Sequence, residues 1–221
     1  MAHLIVAIDG PSGAGKGTIA RAVATRLGYR HIDTGAMYRA VAWKALGQGL
    51  DLADEDAVAA AAADSRIDVS DGIIAIDGHD VRQAIRTPEI DAAAAAVARL
   101  PRVREVLIAR QREMGKGGGV VMEGRDIGTV VFPQADVKIF LDASPEERAR
   151  RRASDPAHAA GKGPQAVREV ASALAARDQS DRTRPTSPLA LAADAVSIDT
   201  TGVPIEAVVQ RVLALIAGLD R

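Results

Sequence analysis

The nine residues Gly10-Pro11-Ser12-Gly13-Ala14-Gly15-Lys16-Gly17-Thr18 restrict the fold of this chain more than any other stretch. An apolar run, Leu4–Ile8, stands before them and ends at Asp9; Ile19, Val23 and Leu27 follow at helical spacing, with Gly28 after the last. The run predicts a strand buried on both faces. The spacing predicts a helix that Gly28 stops. Glycines between a strand and a helix let backbone N–H groups turn toward one point, where the helix N-terminus adds partial positive charge and Lys16 a full one. A triphosphate fits such a loop, so Gly10–Thr18 is the expected nucleoside triphosphate site, with Lys16 at the bridge between the last two phosphates. The strict pattern places a hydroxyl residue directly after the lysine; here Gly17 intervenes and Thr18 supplies it. The loop by itself leaves open what is done with the nucleotide.

Strands and helices alternate beyond the loop. Tyr29–Asp33 reads as a second strand, and Thr34 as the cap of a helix running through Tyr38, Val41 and Trp43. Residues 54–64 predict an acidic, alanine-rich helix. Arg66–Val69 and Ile73–Ile76 flank Ser70-Asp71-Gly72, a hairpin signal, and a second turn at Asp77-Gly78 precedes Val81. This antiparallel element interrupts the alternation and reads as an inserted lobe. Helices are expected near 88–99 and 102–114, with Pro101 between them, then a loop over 115–119. Val120–Met122, Val137–Leu141 and Ala195–Ile198 read as further strands. Ser144 and Glu147 predict a capping box, and residues 155–164 a mobile loop rich in Gly and Pro. A helix covers about 165–180, and Pro204 opens an amphipathic helix with Ile205, Val208, Val209, Val212 and Ile216 on one face. The fold class is α/β, a parallel sheet covered by helices. A domain of 221 residues removes roughly 70% of its unfolded surface from water, so one domain with attached lobes is expected.

Several function classes drop out. The chain has no cysteine, which excludes thiolate zinc sites and thiol catalysis. His3, His31, His79 and His158 lack metal-binding spacing, and Ser12 is not in a nucleophile elbow because residue 14 is alanine. A net charge of −1 and 2% aromatic residues argue against nucleic acid as a partner. No run approaches the length of a membrane span and no basic residue precedes the first apolar run, so no membrane partner is expected and the cytoplasm is the default location.

What is abundant is arginine, 23 against 5 lysines. Composition bias would give this, and so would planar recognition of phosphate; position must decide. Arg125 sits in Glu123-Gly124-Arg125-Asp126-Ile127-Gly128-Thr129 directly after a strand, where open parallel sheets bind ligands. Arg148, Arg151 and Arg152 share a helix face that Arg150 does not, and like charges there repel unless a polyphosphate offsets them. Arg177, Asp181 and Arg184 share another face, while Asp178 and Arg182 read as a structural pair. Arg39, Arg86 and Arg104 each stand near an element boundary. One lysine with many arginines suits phosphoryl transfer, which runs on positioning and charge neutralisation. A nucleotide-gated binding module without catalysis stays open, though it would need no second phosphate site.

Taken together these residues resemble the bacterial cytidylate kinases, of the nucleoside-monophosphate kinase family. The likeness covers nearly the whole chain: IDGPSGAGKGT at 8–18, DTGAMYR at 33–39, IRT at 85–87, PRVRE at 101–105, GRDIGTVVFP at 124–133, KIFLDASPEERARRR at 138–152 and RDQSDRTR at 177–184. The Asp-Gly-Phe-Pro-Arg stretch of adenylate kinases is missing, and Gly17 is the normal form of the loop in this family. The resemblance implies one kinase domain over 1–221: a core at about 1–33, 87–147 and 185–221 with a five-stranded parallel sheet, a monophosphate-binding lobe with its antiparallel insert at about 34–86, and a short helical lid at about 148–184. It implies transfer of the γ-phosphoryl group of ATP to CMP or dCMP, with Mg²⁺ held at Thr18 directly or through water, in a protein expected to be monomeric. Carried over by position, Gly10–Thr18 hold the ATP phosphates, and Lys16, Arg148, Arg151 and Arg152 act on the transferring group. Thr34 lines the CMP site, where Arg39, Arg86 and Arg125 grip the phosphate, Arg177 and Asp181 meet the ribose, and Arg184 completes the site. Arg104 and Asp126 read cytosine, donating to N3 and O2 and accepting from N4 respectively, a pattern that uracil reverses at N3 and position 4. Where family members can carry a serine against the base, residue 95 is alanine. Kinases of UMP or AMP are the nearest alternative enzymes.

Overall fold

The computed structural model describes residues 3–69, 71–154 and 164–218. The chain runs through β1 (Ile5–Asp9), α1 (Lys16–Leu27), β2 (Arg30–Asp33), α2 (Thr34–Gly47), α3 (Glu55–Ala63), three short strands β3 (Ile67–Asp68), β4 (Ala75–Ile76) and β5 (His79–Asp80), then α4 (Pro88–Val97) and α5 (Pro101–Gly115). It continues through β6 (Val120–Gly124), a π-helical turn (Ile127–Val131), β7 (Val137–Asp142), α6 (Pro145–Ala153), α7 (Pro164–Thr183), β8 (Val196–Asp199) and α8 (Ile205–Ala217).

Alternation along β1 explains the layers. Val6 and Ile8 pack on one side against α1 and α8, in a core that includes Val121, Leu141, Ile198 and Val212. Ala7 faces the other way, into a core with Ile32, Met122 and residues of α2 to α5. Both faces are covered, so the strands are apolar throughout. The five-stranded sheet has the order β2-β6-β1-β7-β8 and every pairing in it is parallel. All its carboxyl ends therefore lie along one edge, and the loops leaving that edge build the site.

Four of these strands end on an aspartate: Asp9, Asp33, Asp142 and Asp199. Each carboxylate takes backbone N–H groups where the chain turns out of the sheet. Asp33 accepts from Ala36 at 3.1 Å, Asp142 from Ala143 at 2.8 Å and Asp199 from Thr201 at 2.8 Å. Asp9 accepts from Ile127 at 2.9 Å and Gly128 at 2.7 Å, across the sheet edge, and so holds the π-helical turn. Reading hydrophobic runs alone stops β1, β7 and β8 one residue early, because the ladder continues into the polar terminal residue.

The insert carries one more strand than the sequence predicts. Asp77 and Gly78 both have positive φ, 51° and 80°, which gives the two-residue turn that pairs β4 with β5. Asp77 also accepts from Arg66 N and from Lys44 of α2, which ties the turn to the main body. Ile67, Val69, Ile74, Ile76, Val81 and Ile85 of this region bury themselves in the same core as α2.

Two helix starts differ from expectation. Thr34 does not cap α2: Asp33 does, and the Thr34 hydroxyl donates instead to the Glu123 carbonyl at 2.7 Å. At α6 only half of the capping box forms. Ser144 accepts from Glu147 N, but Glu147 turns its carboxylate to Arg150 and Arg151, and Ser144 N donates to Thr201. Pro101 opens α5 rather than separating it from α4. The expected loop at 155–164, with His158 in it, lies outside the described residues up to Pro164, which starts α7, as does Ser70 of the expected hairpin turn.

Gly10 closes β1 against β7. Its φ is 146°, and an ideal Cβ there would fall 2.0 Å from the Leu141 carbonyl oxygen. Gly10→Ala is therefore expected to cost at least about 2 kcal/mol of unfolding free energy, because β7 must shift off β1. The urea midpoint measures this, and an unchanged midpoint would show that the strand pair gives way freely.

Candidate active site

The loop between β1 and α1 is held open from three sides. Gly13 and Gly15 adopt φ of 80° and 89°. Ser12 N donates to Asp178 of α7 at 3.3 Å, Arg148 donates to the Ser12 carbonyl at 3.2 Å, and the Thr200 hydroxyl donates to the Ala14 carbonyl at 3.2 Å. No side chain caps the N-terminus of α1, so its first N–H groups are left for an anion or for water. Lys16 is buried and donates back to the Pro11 carbonyl at 2.7 Å. Burial and the nearby Arg125 push its ammonium down to about 7, against the pull of Glu123 and Asp9. Burial likewise raises Asp9 to about 6, opposed by its two backbone donors.

Gly17 has a steric reason. A Cβ at this position would stand 3.1 Å from Glu123 Oε1, so the side chain of Glu123 fills the place of a residue-17 side chain. Glu123 is buried, 3.0 Å from His31 Nε2, and burial followed by the charge of Asp33 raises its pKa. The hydroxyl that the loop needs is displaced to Thr18, which is exposed and borders two cavities.

One cavity, of about 710 Å³, lies between the loop and the start of α8 and is walled by Arg150, Arg151, Thr200, Val203 and Ile205. The other, of about 390 Å³, lies on the opposite side of Lys16 and is lined by Arg39, Arg86, Arg125, Arg152 and Arg177 together with Asp33 and Glu123. Guanidinium groups this crowded need carboxylates. Arg125 pairs with Asp181 at 2.9 Å; burial would weaken its charge, but Asp181 outweighs burial and raises its pKa. Arg39, Arg152 and Arg177 all meet Asp91 of α4. Burial, then the neighbouring Arg125 and Arg39, bring Arg177 down to about 10. Arg86 donates from Nε to the Arg82 carbonyl at 3.2 Å.

A third hollow, of only about 40 Å³, adjoins the arginine cavity and is bounded by Thr34, Tyr38, Ala95, Arg104, Asp126 and Asp181. Arg104 is buried, lies 5.4 Å over the Tyr38 ring and pairs with Asp126. Arg184 joins Asp126 at 3.5 Å to Asp181 at 3.4 Å, so alternating charges run from Arg104 to Arg125. Burial acts against the Asp181 carboxylate, but Arg125, Arg177 and Arg184 hold its pKa below the ordinary value. The Tyr38 hydroxyl and Arg104 Nε are buried there without a hydrogen-bond partner.

The lid arginines do not form the single face that the sequence predicts. Arg148 points inward, donating to Ala143 O and Ser12 O and pairing with Asp178. Asp178 is thereby taken from the expected pair with Arg182, which is exposed. Arg151 bonds Glu147 and both oxygens of Thr200; Arg152 reaches Asp91; Arg150 pairs with Glu147 at the surface. Each charge has a partner, some of them shared, so the predicted mutual repulsion is already relieved. Asp91, Asp178, Glu123, Tyr38 and Thr200 went unrecognised as site residues. Glu123 and Thr200 carried the signal of standing at or just past a strand end; Asp91 and Asp178, in helices, carried none.

Residues 6–218 match the family model for cytidylate kinase. The chain belongs to the cytidylate kinase family. A cytidylate kinase of Solibacter usitatus is 50% identical over 97% of this chain and 92% of that protein, and one of Pelotomaculum thermopropionicum is 48% identical over 96% and 95%. Among solved structures, a gluconokinase of Sinorhizobium meliloti superposes with a TM-score of 0.53 over 99% of this chain and 94% of its own, at 17% identity, a likeness of fold alone. Membership in the family makes the chain an ATP-dependent transferase that moves the γ-phosphoryl group of ATP to CMP or dCMP. Among the described residues no helix is long and apolar enough to cross a membrane.

Lys16 supplies a pH test. With its pKa held at about 7, it is roughly nine-tenths neutral at pH 8. A bound triphosphate favours the ammonium form, so ATP binding at pH 8 is expected to take up close to one proton. Calorimetry in two buffers of different ionisation enthalpy measures it. Uptake that persists in Lys16→Met would assign the proton elsewhere.

Proposed function

We propose that the roughly 710 Å³ cavity takes ATP, that the arginine cavity takes the phosphate of CMP or dCMP, and that phosphoryl transfer occurs between them at Lys16. One observation carries this reading: Lys16 and Thr18 share a cavity with Arg39, Arg86, Arg125, Arg152 and Arg177. A donor loop and a second anion site on either side of one ammonium are what in-line transfer between two phosphates needs. Lys16 would exchange the Pro11 carbonyl for phosphate oxygens. An oxygen of the CMP phosphate, held by Arg39, Arg86 and Arg125, would attack the γ-phosphorus as the bond to ADP breaks. Arg151 and Arg152, near the loop, would neutralise the transferring charge. Arg148 is assigned a different role from theirs: buried among Ser12, Ala143 and Asp178, it positions the loop.

Magnesium belongs to the same proposal. Among the described residues no three histidine, aspartate or glutamate side chains gather as a metal cage, and Thr18 stands exposed between the two cavities. That donor set fits an ion held by one hydroxyl and by phosphate oxygens and water. Thr18 would hold the ion, directly or through water, and the ion would offset the charge of the triphosphate.

Arg104 and Asp126 are assigned to cytosine, Asp181 with Arg177 to the ribose, and Thr34 and Arg184 to the surrounding wall. The unpartnered Arg104 Nε supplies polar capacity that a base would use. The hollow beside it, about 40 Å³, shares Ala95 and Arg177 with a cavity of about 480 Å³ between α4 and α7, which gives the nucleoside room. A lobe at about 34–86 and a lid at about 148–184 would close around it. The proposal takes the protein to act as a monomer in the cytoplasm, with no nucleic-acid or membrane partner.

ADP release measured across CMP, dCMP, UMP and AMP tests the assignment. CMP and dCMP are expected to turn over well, UMP and AMP poorly; equal rates on all four would remove Arg104 and Asp126 from base recognition. Lys16→Met is expected to lower kcat by about 10²–10³ with an unchanged melting temperature, and an unchanged kcat would dismiss Lys16 from catalysis. Ala95 borders the base hollow. Ala95→Ser adds one neutral hydrogen bond to the base, worth about 0.5–1.5 kcal/mol, so the KM for CMP should fall roughly 2- to 13-fold with kcat nearly constant. A rise in that KM would mean that residue 95 does not face the base.

A further inference from the structure

Three arginines from three different elements converge on the Asp91 carboxylate. Arg39 comes from α2, Arg152 from α6 and Arg177 from α7. All three also line the cavity assigned above to the acceptor phosphate. Arg39 further donates to the Ile85 carbonyl at 3.2 Å, which fixes it on the core side. Asp91 itself sits in the first turn of α4 behind the Thr87 cap, where the helix dipole favours a carboxylate. A carboxylate and a phosphate accept hydrogen bonds from guanidinium groups in the same planar fashion.

We propose that Asp91 is an internal counter-anion of the acceptor site, a positioning residue that gathers Arg39, Arg152 and Arg177 while the site is empty and competes with the incoming monophosphate for them. The inference rests on the assignment of the arginine cavity to the CMP phosphate. Without an anion among them, these guanidinium groups would repel one another and α6 and α7 would swing from α4. With Asp91 among them, α6 and α7 stay tied to α4 through Arg152 and Arg177. The arriving dianion then meets a carboxylate of its own sign. If Asp91 keeps its arginines, it repels the phosphate; if it yields them, those contacts are lost. In both cases the acceptor binds more weakly than the arginines alone would allow, and the protein gains a site whose cations are already assembled.

The test is Asp91→Asn, which keeps size and removes charge. Calorimetric titration with CMP in the absence of ATP is expected to give roughly tenfold tighter binding, the scale of one like charge removed from a partly buried site. The KM for CMP should fall by a similar factor with kcat within threefold. Amide exchange over residues 146–153 in the nucleotide-free protein should quicken, since α6 loses its tie to α4. Asp91→Glu, which restores the carboxylate, should return both readouts toward the parent protein. Arg39→Ala run beside it should weaken CMP binding at least tenfold. If Arg39→Ala weakens CMP but Asp91→Asn leaves its affinity unchanged or lower, Asp91 is a brace and the counter-anion role is overturned alone. If Arg39→Ala also has no effect, the acceptor assignment falls and the role of Asp91 falls with it. Should Asp91→Asn not fold, Asp91→Ser carries the same comparison.

Discussion

Guanidinium groups brought to one small cavity repel one another, and the architecture around this site is arranged to contain that repulsion. Most arginines that approach the loop or the arginine cavity have their charge answered by a carboxylate, usually from a different element. Arg125 is met by Asp181, Arg148 by Asp178, Arg151 by Glu147, and Arg39, Arg152 and Arg177 by Asp91. These contacts join α2, α4, α6 and α7 to one another and to the loop after β1, so the electrostatics of the site also dictate how the helices above the sheet edge pack. Buried ion pairs of this kind contribute little net stability, because desolvation offsets most of the attraction. What they fix is geometry, and geometry is what phosphoryl transfer asks of a protein.

The sheet supplies the frame on which this charge pattern rests. A wholly parallel sheet with both faces buried sends every strand out at the same edge, and the terminal aspartates bind the departing backbone. Asp9 does so at the greatest reach, taking the N–H groups of Ile127 and Gly128. It thereby fixes the segment that follows Arg125 and Asp126, the two residues to which phosphate and base binding are assigned in the proposal. Its pKa of about 6 reflects how completely it is enclosed.

Much of this was legible in the chain. Apolar runs marked four strands of the main sheet, and helical spacing marked α1 and α8, because each reports burial of a face that the fold does bury; α3 was marked by its alanine content and α6 by its capping residues. The loop at Gly10–Thr18 was legible because its glycines, lysine and flanking elements have no common use other than an anion site. Turn chemistry also showed the insert, although β5, two residues long and exposed, carried no apolar signal. What escaped was pairing across distance. The i, i+3, i+4 spacing of Arg148, Arg151 and Arg152 put them on one helix face, yet their side chains leave it for Asp178, Thr200 and Asp91. Asp178 and Arg182 satisfy the same local rule, and Asp178 instead crosses to Arg148. Sequence spacing states which charges can meet within a helix; it carries no information about a stronger partner on a neighbouring one.

The contact between Gly17 and Glu123 binds two distant positions into one heritable unit. A serine or threonine directly after Lys16 would put its Cβ 3.1 Å from Glu123 Oε1, the same oxygen that meets His31, so Glu123 would have to give by a few tenths of an ångström. A lineage that moved the loop hydroxyl from residue 18 to residue 17 would meet this contact first, and the buried imidazole on β2 would feel the change through Glu123.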